Sequence, residues 1–411
     1  MPLPHSARRV MNTIPSITLI QNRDVPVRAG HPWIFSQAIS RSCPAGPGTC
    51  VRVVSHNGEG LGVGFWNPGA TIRVRMLSRD PNAVISPAYL AERISRLNRE
   101  KQSLIPPATT GYRVVHGDAD YLPGLIIDRY QDVVVFQLHS AGMDALRSEI
   151  IAALQSVFSP QVIVERSDVG SRRLEGLDPL PAITHYGTCS YGAEFQERGA
   201  LLSADVLQGQ KTGFFLDQRD TRALVETWAP GRRVLNLFCY TASASVFAAR
   251  ARAASIVSVD TSARALEVGR RHFIANGFDP GDPAFSLVNQ DVLEFLKQAQ
   301  NNGRRYDLVV CDPPAFAKSG SHVKAALTAY LNLNRACFSV LEKSGVLITS
   351  SCSGRVSPED FLNCVRLAAG RAEVDARIHQ FGGHPADHTD RLSFPEGRYL
   401  KTAVLELRAL T

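Results

Sequence analysis

Val234-Leu-Asn-Leu-Phe-Cys-Tyr240 and Ser255-Ile-Val-Ser-Val-Asp260 are apolar runs of strand length, and each ends on polar residues. Between them, Ser243–Arg252 carries small and apolar residues at helical spacing. The unit strand–helix–strand then repeats. Helix Ser262–Asn276 has Ser262 as its N-cap and Gly277 beyond its end. Strand Phe285–Asp291 leads to helix Leu293–Asn301, and strand Tyr306–Asp312 to a helix at about His322–Leu341. Strand Gly345–Cys352 leads to helix Pro358–Arg371. Five apolar strands alternating with helices predict a parallel, doubly wound α/β sheet of the Rossmann-like kind. Strands near Val374–Gln380 and Tyr399–Arg408 are expected as an antiparallel hairpin on its edge.

In such sheets ligands sit at the carboxyl ends of the strands. Here those ends carry Asn236, Tyr240 and Thr241, then Asp260, Asp291 and Asp312, then Ser351-Cys352-Ser353. One acid at such a place is usually a helix cap. Three on successive strands read as a ligand rim. Asp260 has the spacing of an acid that accepts a ribose diol. Asp291-Val292 offers a carboxylate to an exocyclic amine and an apolar side to a purine. The loop from Asn236 to Ser245 has no glycine, which disfavours a dinucleotide pyrophosphate and hence a dehydrogenase. A nucleoside ligand without pyrophosphate, such as S-adenosylmethionine, fits better.

Upstream, two further units are expected. Residues 1–82 read as short strands punctuated by Asn57-Gly58 and Asn67-Pro68-Gly69, a small β-barrel or sandwich. Residues 83–190 read as an α+β domain: helix Ala88–Ser103 closed by Pro106-Pro107, strands at 112–116, 125–128, 132–138 and 162–166, and a helix near 143–158. His116, Asp118 and Asp120 are read there as surface turn residues. Residues 191–411 hold the sheet, opened by a hairpin at Ser190–Glu197 and Leu201–Leu207.

The chain has 411 residues and a formal charge of +7. The excess is local: residues 1–82 hold 9 basic against 3 acidic residues. A basic N-terminal unit points to a polyanion, and Arg73 and Arg75 on one face of a strand are its candidate RNA contacts. No apolar run is long enough to cross a membrane, and Met1–Asn12 has no apolar core of a secretory signal. The eight cysteines form no Cys-x-x-Cys pair, so neither a zinc site nor a disulfide framework is expected, and no metal. A reducing cytoplasm suits them.

The stretches Asn236–Thr241, Val259–Ser262 and Asp312-Pro-Pro-Ala-Phe316 resemble motifs of class I S-adenosylmethionine-dependent methyltransferases. With Gly30–Phe35, Leu122–Asp128, Arg166–Asp168, Gln210–Arg219, Ser351–Gly354 and Phe394–Gly397, the whole chain resembles the large-subunit ribosomal RNA 5-methylcytosine methyltransferases that carry an N-terminal PUA domain. The resemblance implies S-adenosylmethionine as cofactor, 23S ribosomal RNA as partner and, by analogy, a homodimer. It implies that Lys211–Arg219 covers the cofactor, with Gln218 or Arg219 reaching its carboxylate. Asn236, Phe238, Tyr240, Thr241, Asp260, Thr261, Ser262, Asp291, Val292, Asp312 and Pro313 complete the expected cofactor set. The family's glycine pair after Tyr-Thr is replaced by Ala242 and Ser243.

Carbon 5 of cytosine is a poor nucleophile until a thiolate adds to carbon 6. Cys352, at a strand end within the family motif, is the expected nucleophile. Cys311 is the local rival, expected to point into the packing of its strand. Asp312 is expected at the cytosine edge, where it can assist protonation of nitrogen 3. No basic residue near Cys352 in sequence accounts for the loss of its proton. Two other readings remain open: methylation of an exocyclic amine held by Asp312-Pro-Pro, which needs no cysteine, and a non-catalytic RNA-binding factor that keeps the fold.

Overall fold

The computed structural model describes residues 14–189, 192–317 and 323–408. Three sheets and one hairpin follow one another along the chain. The first sheet is built from β1 (Ser16–Leu19), β2 (Trp33–Phe35), β3 (Ile39–Arg41), β4 (Thr49–Val54), β5 (Gly60–Trp66) and β6 (Ile72–Ser78), in the order β2-β6-β5-β4-β1-β3. Only β1 and β4 run parallel. Gly58, at φ +82°, turns the chain between β4 and β5 as the Asn-Gly pair predicts. A short helix, α1 (Val25–Arg28), lies between β1 and β2.

Helix α2 (Pro87–Gln102), capped by Ser86, leads into the second sheet. That sheet holds β7 (Gly111–His116), β8 (Leu125–Tyr130), β9 (Val133–Leu138), β10 (Val162–Glu165) and β11 (Ile183–Tyr186), in the order β11-β10-β9-β8-β7. The helix expected near 143–158 is two helices, α3 (Ala141–Ala145) and α4 (Arg147–Phe158), broken at Leu146. Phe65 and Leu77 of the first sheet are buried in the core of this second unit, with Leu90, Ile94 and Phe136.

The turn after β7 is not surface. Asp120 is buried, accepts the His116 amide and lies 3.5 Å from Lys101. Asp118 accepts a hydrogen bond from the Trp33 indole N–H at 2.7 Å and pairs with Arg75 at 3.0 Å. Sequence position could not reveal those partners, which come from the first sheet and from α2.

Hairpin β12 (Ala193–Glu197) and β13 (Ala200–Ala204) then precedes the large sheet. Its strands are β14 (Arg233–Leu237), β15 (Ser255–Asp260), β16 (Phe285–Asn289), β17 (Tyr306–Cys311), β18 (Leu341–Ser351), β19 (Asp375–Gly382) and β20 (Lys401–Arg408), in the order β16-β15-β14-β17-β18-β20-β19. The first five are parallel. β20 runs antiparallel between β18 and β19, so the expected edge hairpin is present. Helices α5 (Arg219–Trp228), α6 (Ser243–Arg250), α7 (Ala263–Ala275), α8 (Val292–Asn301), α9 (Val323–Ser339) and α10 (Pro358–Arg371) cover both faces over two apolar cores. Burial on both faces is why these strands read as nearly unbroken Val, Ile and Leu.

Candidate functional site

The strand order reverses between β14 and β17, and a cavity of about 240 Å³ opens there at the carboxyl ends. The loop after β14 forms one wall. Phe238, Tyr240 and Ala242 all have positive φ, +55°, +49° and +51°. Left-handed conformation is costly outside glycine, and the surroundings hold this loop in place. Asp260 accepts the Tyr240 amide through Oδ2 and the Ser262 amide through Oδ1, each at 2.8 Å. The Tyr240 hydroxyl accepts the Gln210 amide at 3.0 Å. His272 donates from Nδ1 to the Thr241 carbonyl at 2.9 Å and accepts the Ser203 amide at Nε2. Burial lowers that imidazole to about 4, so it is neutral and suited to both bonds.

Gln218, Asn236, Phe238, Tyr240, Asp260, Thr261, Asp312, Pro313 and Cys352 all line this cavity. They come from five chain segments that the fold brings together. Thr241 and Ser262 stand just behind the wall. Thr241 is buried with its hydroxyl unpaired, and Ser262 caps α7 through the Ala265 amide. Asp291 caps α8, accepting the Leu293 and Glu294 amides on Oδ1.

Three expectations are corrected. Val292 is turned into the core below the sheet and offers no side to a purine. Arg219 does not reach the cavity. It is 2% exposed, pairs with Asp387 at 2.8 Å and Glu197 at 3.5 Å, and donates to the Gly111 carbonyl. Its Nη groups are committed to Asp387 and the Gly111 carbonyl, so reaching a ligand carboxylate would break a buried ion pair. Arg75 is likewise unavailable to RNA: it is held between Asp118 and Glu175, at 3.0 and 2.9 Å, over the Trp33 ring. Arg73 is half-buried, with its Nη1 unpaired.

The far wall carries the reactive groups. Cys352, just beyond β18, donates its thiol proton to the Pro313 carbonyl at 3.6 Å. Burial and the nearby Asp312 carboxylate push the thiol up to about 11, against a smaller pull from Lys211. Asp312 is itself pushed up to about 7, by burial and then by the negative charge of Asp217. Burial would raise Asp217 too, but Lys211 and the Tyr399 hydroxyl bond to its Oδ2, and with His388 they hold it below the usual range. Two carboxyls side by side are thus driven apart, one anionic and one carrying a proton near neutrality. Cys311 faces the core against Cys337, away from the cavity.

Lys401 is the group that local reading missed. It heads β20, in register with Ser351 of β18, and is buried. Its ammonium donates to the Ser353 carbonyl at 2.7 Å and the Tyr399 carbonyl at 2.9 Å. Burial lowers it to about 8, and the Cys352 thiolate is the charge that opposes this shift. A cation therefore stands beside the thiol, supplied by a strand 49 positions later.

The site fits S-adenosylmethionine on its own chemistry. Asp260 retains free acceptor capacity toward a diol, Phe238 and Tyr240 give apolar wall, and Lys211 and Gln218 add polar side chains to the lining.

Comparison with known proteins agrees. Residues 187–380 match the S-adenosylmethionine-dependent methyltransferase family, and residues 17–79 match the PUA-like domain. The chain is 38% identical over 395 residues to a protein of Shewanella denitrificans named ribosomal RNA large subunit methyltransferase I, covering 94% of this chain and 98% of that one. A protein of the same name from Aeromonas hydrophila is 36% identical, over 96% and 99% of the two chains. An S-adenosylmethionine-dependent methyltransferase from Streptococcus mutans shares the fold, with a TM-score of 0.80 at 24% identity over 96% of this chain and 100% of that one. A methyltransferase solved in complex with S-adenosylhomocysteine superposes with a TM-score of 0.82 at 24% identity, over the same shares.

Proposed function

The chain belongs to the ribosomal RNA large subunit methyltransferase I family, S-adenosylmethionine-dependent enzymes, and from that premise we propose that it forms 5-methylcytosine in 23S ribosomal RNA. The observation that carries this reading is one cavity that presents Cys352 and Asp312 together with Asp260. S-adenosylmethionine, when bound, supplies an electrophilic methyl group. Asp260 would hold its ribose and Gln218 and Lys211 its amino-acid end.

The chain's own residues account for the rest. Cys352 must lose its proton, and Lys401 and Lys211 are the cations placed to stabilise the thiolate. The thiolate adds to carbon 6 of cytosine while Asp312, able to carry a proton near neutral pH, hydrogen-bonds or protonates nitrogen 3. Electron density then collects at carbon 5, which could take the methyl group as the methyl–sulfur bond broke and left its electron pair on sulfur. Loss of the carbon 5 proton to a base returns the electrons to the ring and expels the Cys352 thiolate.

The exocyclic-amine alternative needs an aromatic side chain of the Asp-Pro-Pro segment over the base. Phe316 packs instead on Tyr330, with ring centroids 4.8 Å apart, and this weighs against that reading. The test is RNA carrying 5-fluorocytosine. Fluorine cannot leave as a proton, so a covalent complex should form and its peptide should contain Cys352. Methylated RNA without any trapped complex would exclude the thiolate route.

A further inference from the structure

A second and larger cleft, of about 610 Å³, lies where the three parts of the chain meet. Its walls are the end of β6, one face of α2, and the segment 386–391 between β19 and β20. Arg79, Arg93 and Arg391 converge on it from these three elements. Each guanidinium is anchored by one bond to a backbone carbonyl: Arg79 to Arg28, Arg93 to Asp120, and Arg391 to Ala119, at 2.8, 2.8 and 2.9 Å.

None of the three has a carboxylate within ion-pair distance among the described residues. The carboxylates that line the cleft are already committed: Glu100 to Arg96, Asp120 to Lys101, and Asp390 to Arg398. The cleft therefore keeps three positive charges with their remaining N–H groups unspent. Anchored forks of this kind suit phosphate oxygens.

The cleft also leads somewhere. It shares Ala386 and Asp390 with an adjoining cavity of about 270 Å³, whose other walls include His384, His388 and Lys401. Lys401 in turn holds the carbonyl of Ser353, next to Cys352. The two cavities thus join three unpaired arginines to Lys401, which bonds to the carbonyl of the residue after Cys352.

We propose that this cleft grips the phosphate backbone of the substrate RNA where the strand passes the segment 386–391. The proposal rests on the RNA methyltransferase reading above and names the surface that serves it. It moves the docking contact from the face of the first sheet, where Arg75 is neutralised, to the junction of all three units. Bound RNA would touch each of them, so the cleft is complete only when they are assembled.

The test is salt-dependent binding of single-stranded fragments that tile large-subunit ribosomal RNA. Wild type, Arg79→Glu, the triple variant Arg79→Ala/Arg93→Ala/Arg391→Ala, and Arg371→Ala at the far end of α10 are compared. Each phosphate contact on a single strand contributes about 0.7 to the slope of log affinity against log salt. The triple variant should therefore lose about 2 from that slope and bind at least about tenfold more weakly at 0.1 M salt. Arg79→Glu, exposed and tied to one carbonyl, should weaken RNA binding while cofactor affinity by calorimetry stays at the wild-type value. Arg371→Ala should bind RNA as wild type does. An unchanged slope in both cleft variants, with wild type methylating the same RNA, overturns the cleft and is the result expected if it receives an acidic protein instead. An equal loss in Arg371→Ala overturns it as well. A wild-type protein that transfers labelled methyl to no fragment overturns the underlying reading instead.

Discussion

Ala242 and Gly269 face each other across the loop that follows β14: a Cβ on Gly269 would lie 3.0 Å from the Ala242 methyl and 3.1 Å from the Thr241 carbonyl oxygen. The Ala242 methyl is thus accommodated by the absence of one at Gly269 on α7. Gly269→Ala should cost about 1–3 kcal/mol by overpacking. Ala242→Gly in the same chain should recover part of that loss, and also relieves a left-handed alanine. Denaturant melts of the two singles and the double variant check this. Additive losses would mean that the two sites are independent.

Asp260→Ala removes the acceptor proposed for the ribose and also the clamp on the Tyr240 and Ser262 amides. Charge-assisted bonds of about 1.5–3 kcal/mol predict ten- to hundredfold weaker S-adenosylmethionine binding. Calorimetry measures it, and an unchanged affinity would take Asp260 out of the cofactor site.

Cys352→Ala should abolish methyl transfer while cofactor affinity stays close to wild type. Cys311→Ala should keep turnover and lose a few kcal/mol of stability at most, since its thiol is buried in the core. A normal rate in Cys352→Ala would revive amine methylation through Asp312.

The pH profile should have a particular shape. Turnover needs Asp312 protonated and Cys352 ionised. Well below pH 7 Asp312 is protonated, so the rate follows the thiolate and falls about tenfold for each unit that the pH drops. Above pH 7 the loss of the Asp312 proton offsets the gain in thiolate, and the profile flattens. Asp312→Asn has no proton to lose. Its rate should be lower and should keep rising past pH 7. A variant that levels off where wild type does would remove Asp312 from this role.

Lys401→Met should raise the Cys352 thiol further. A rise of one pKa unit means about tenfold slower alkylation of Cys352 by iodoacetamide at pH 8, with the gap closing as pH rises. Lys401→Arg, which keeps the charge, should react as wild type does. Equal rates in all three proteins at pH 8 would leave Lys401 with only its bonds to the Ser353 and Tyr399 carbonyls.

The large sheet was legible because its signals are local. Val234–Leu237 and Ile256–Val259 are largely apolar, Ser262 caps α7 within three residues, and Asp260, Asp291 and Asp312 each stand at or just beyond a strand end. Arg75 and Arg219 were misread for the opposite reason. Their partners, Glu175 and Asp387, lie 100 and 168 positions away, and no periodicity reports a pair formed by folding. Lys401 escaped for the same cause, since antiparallel register alone puts it beside Ser351. Val292 shows a subtler limit. The strand-end position was right, but the first turn of α8 rotates its side chain into the core.

The Arg219–Asp387 pair also decides how the molecule comes apart. Asp387 accepts the Arg113 amide of β7, and its carbonyl takes the Lys101 ammonium of α2, while Arg219 donates to the carbonyl of Gly111. The connection between the last two strands is thereby bolted to the middle of the chain, and Phe65 locks the first sheet to the same core. Excising any one unit strands buried charge or apolar surface in the others, at several kcal/mol per broken pair. Calorimetry should then record one melting event for the full chain rather than three, with the enthalpy of a single cooperative body. Limited proteolysis should correspondingly yield no stable catalytic fragment.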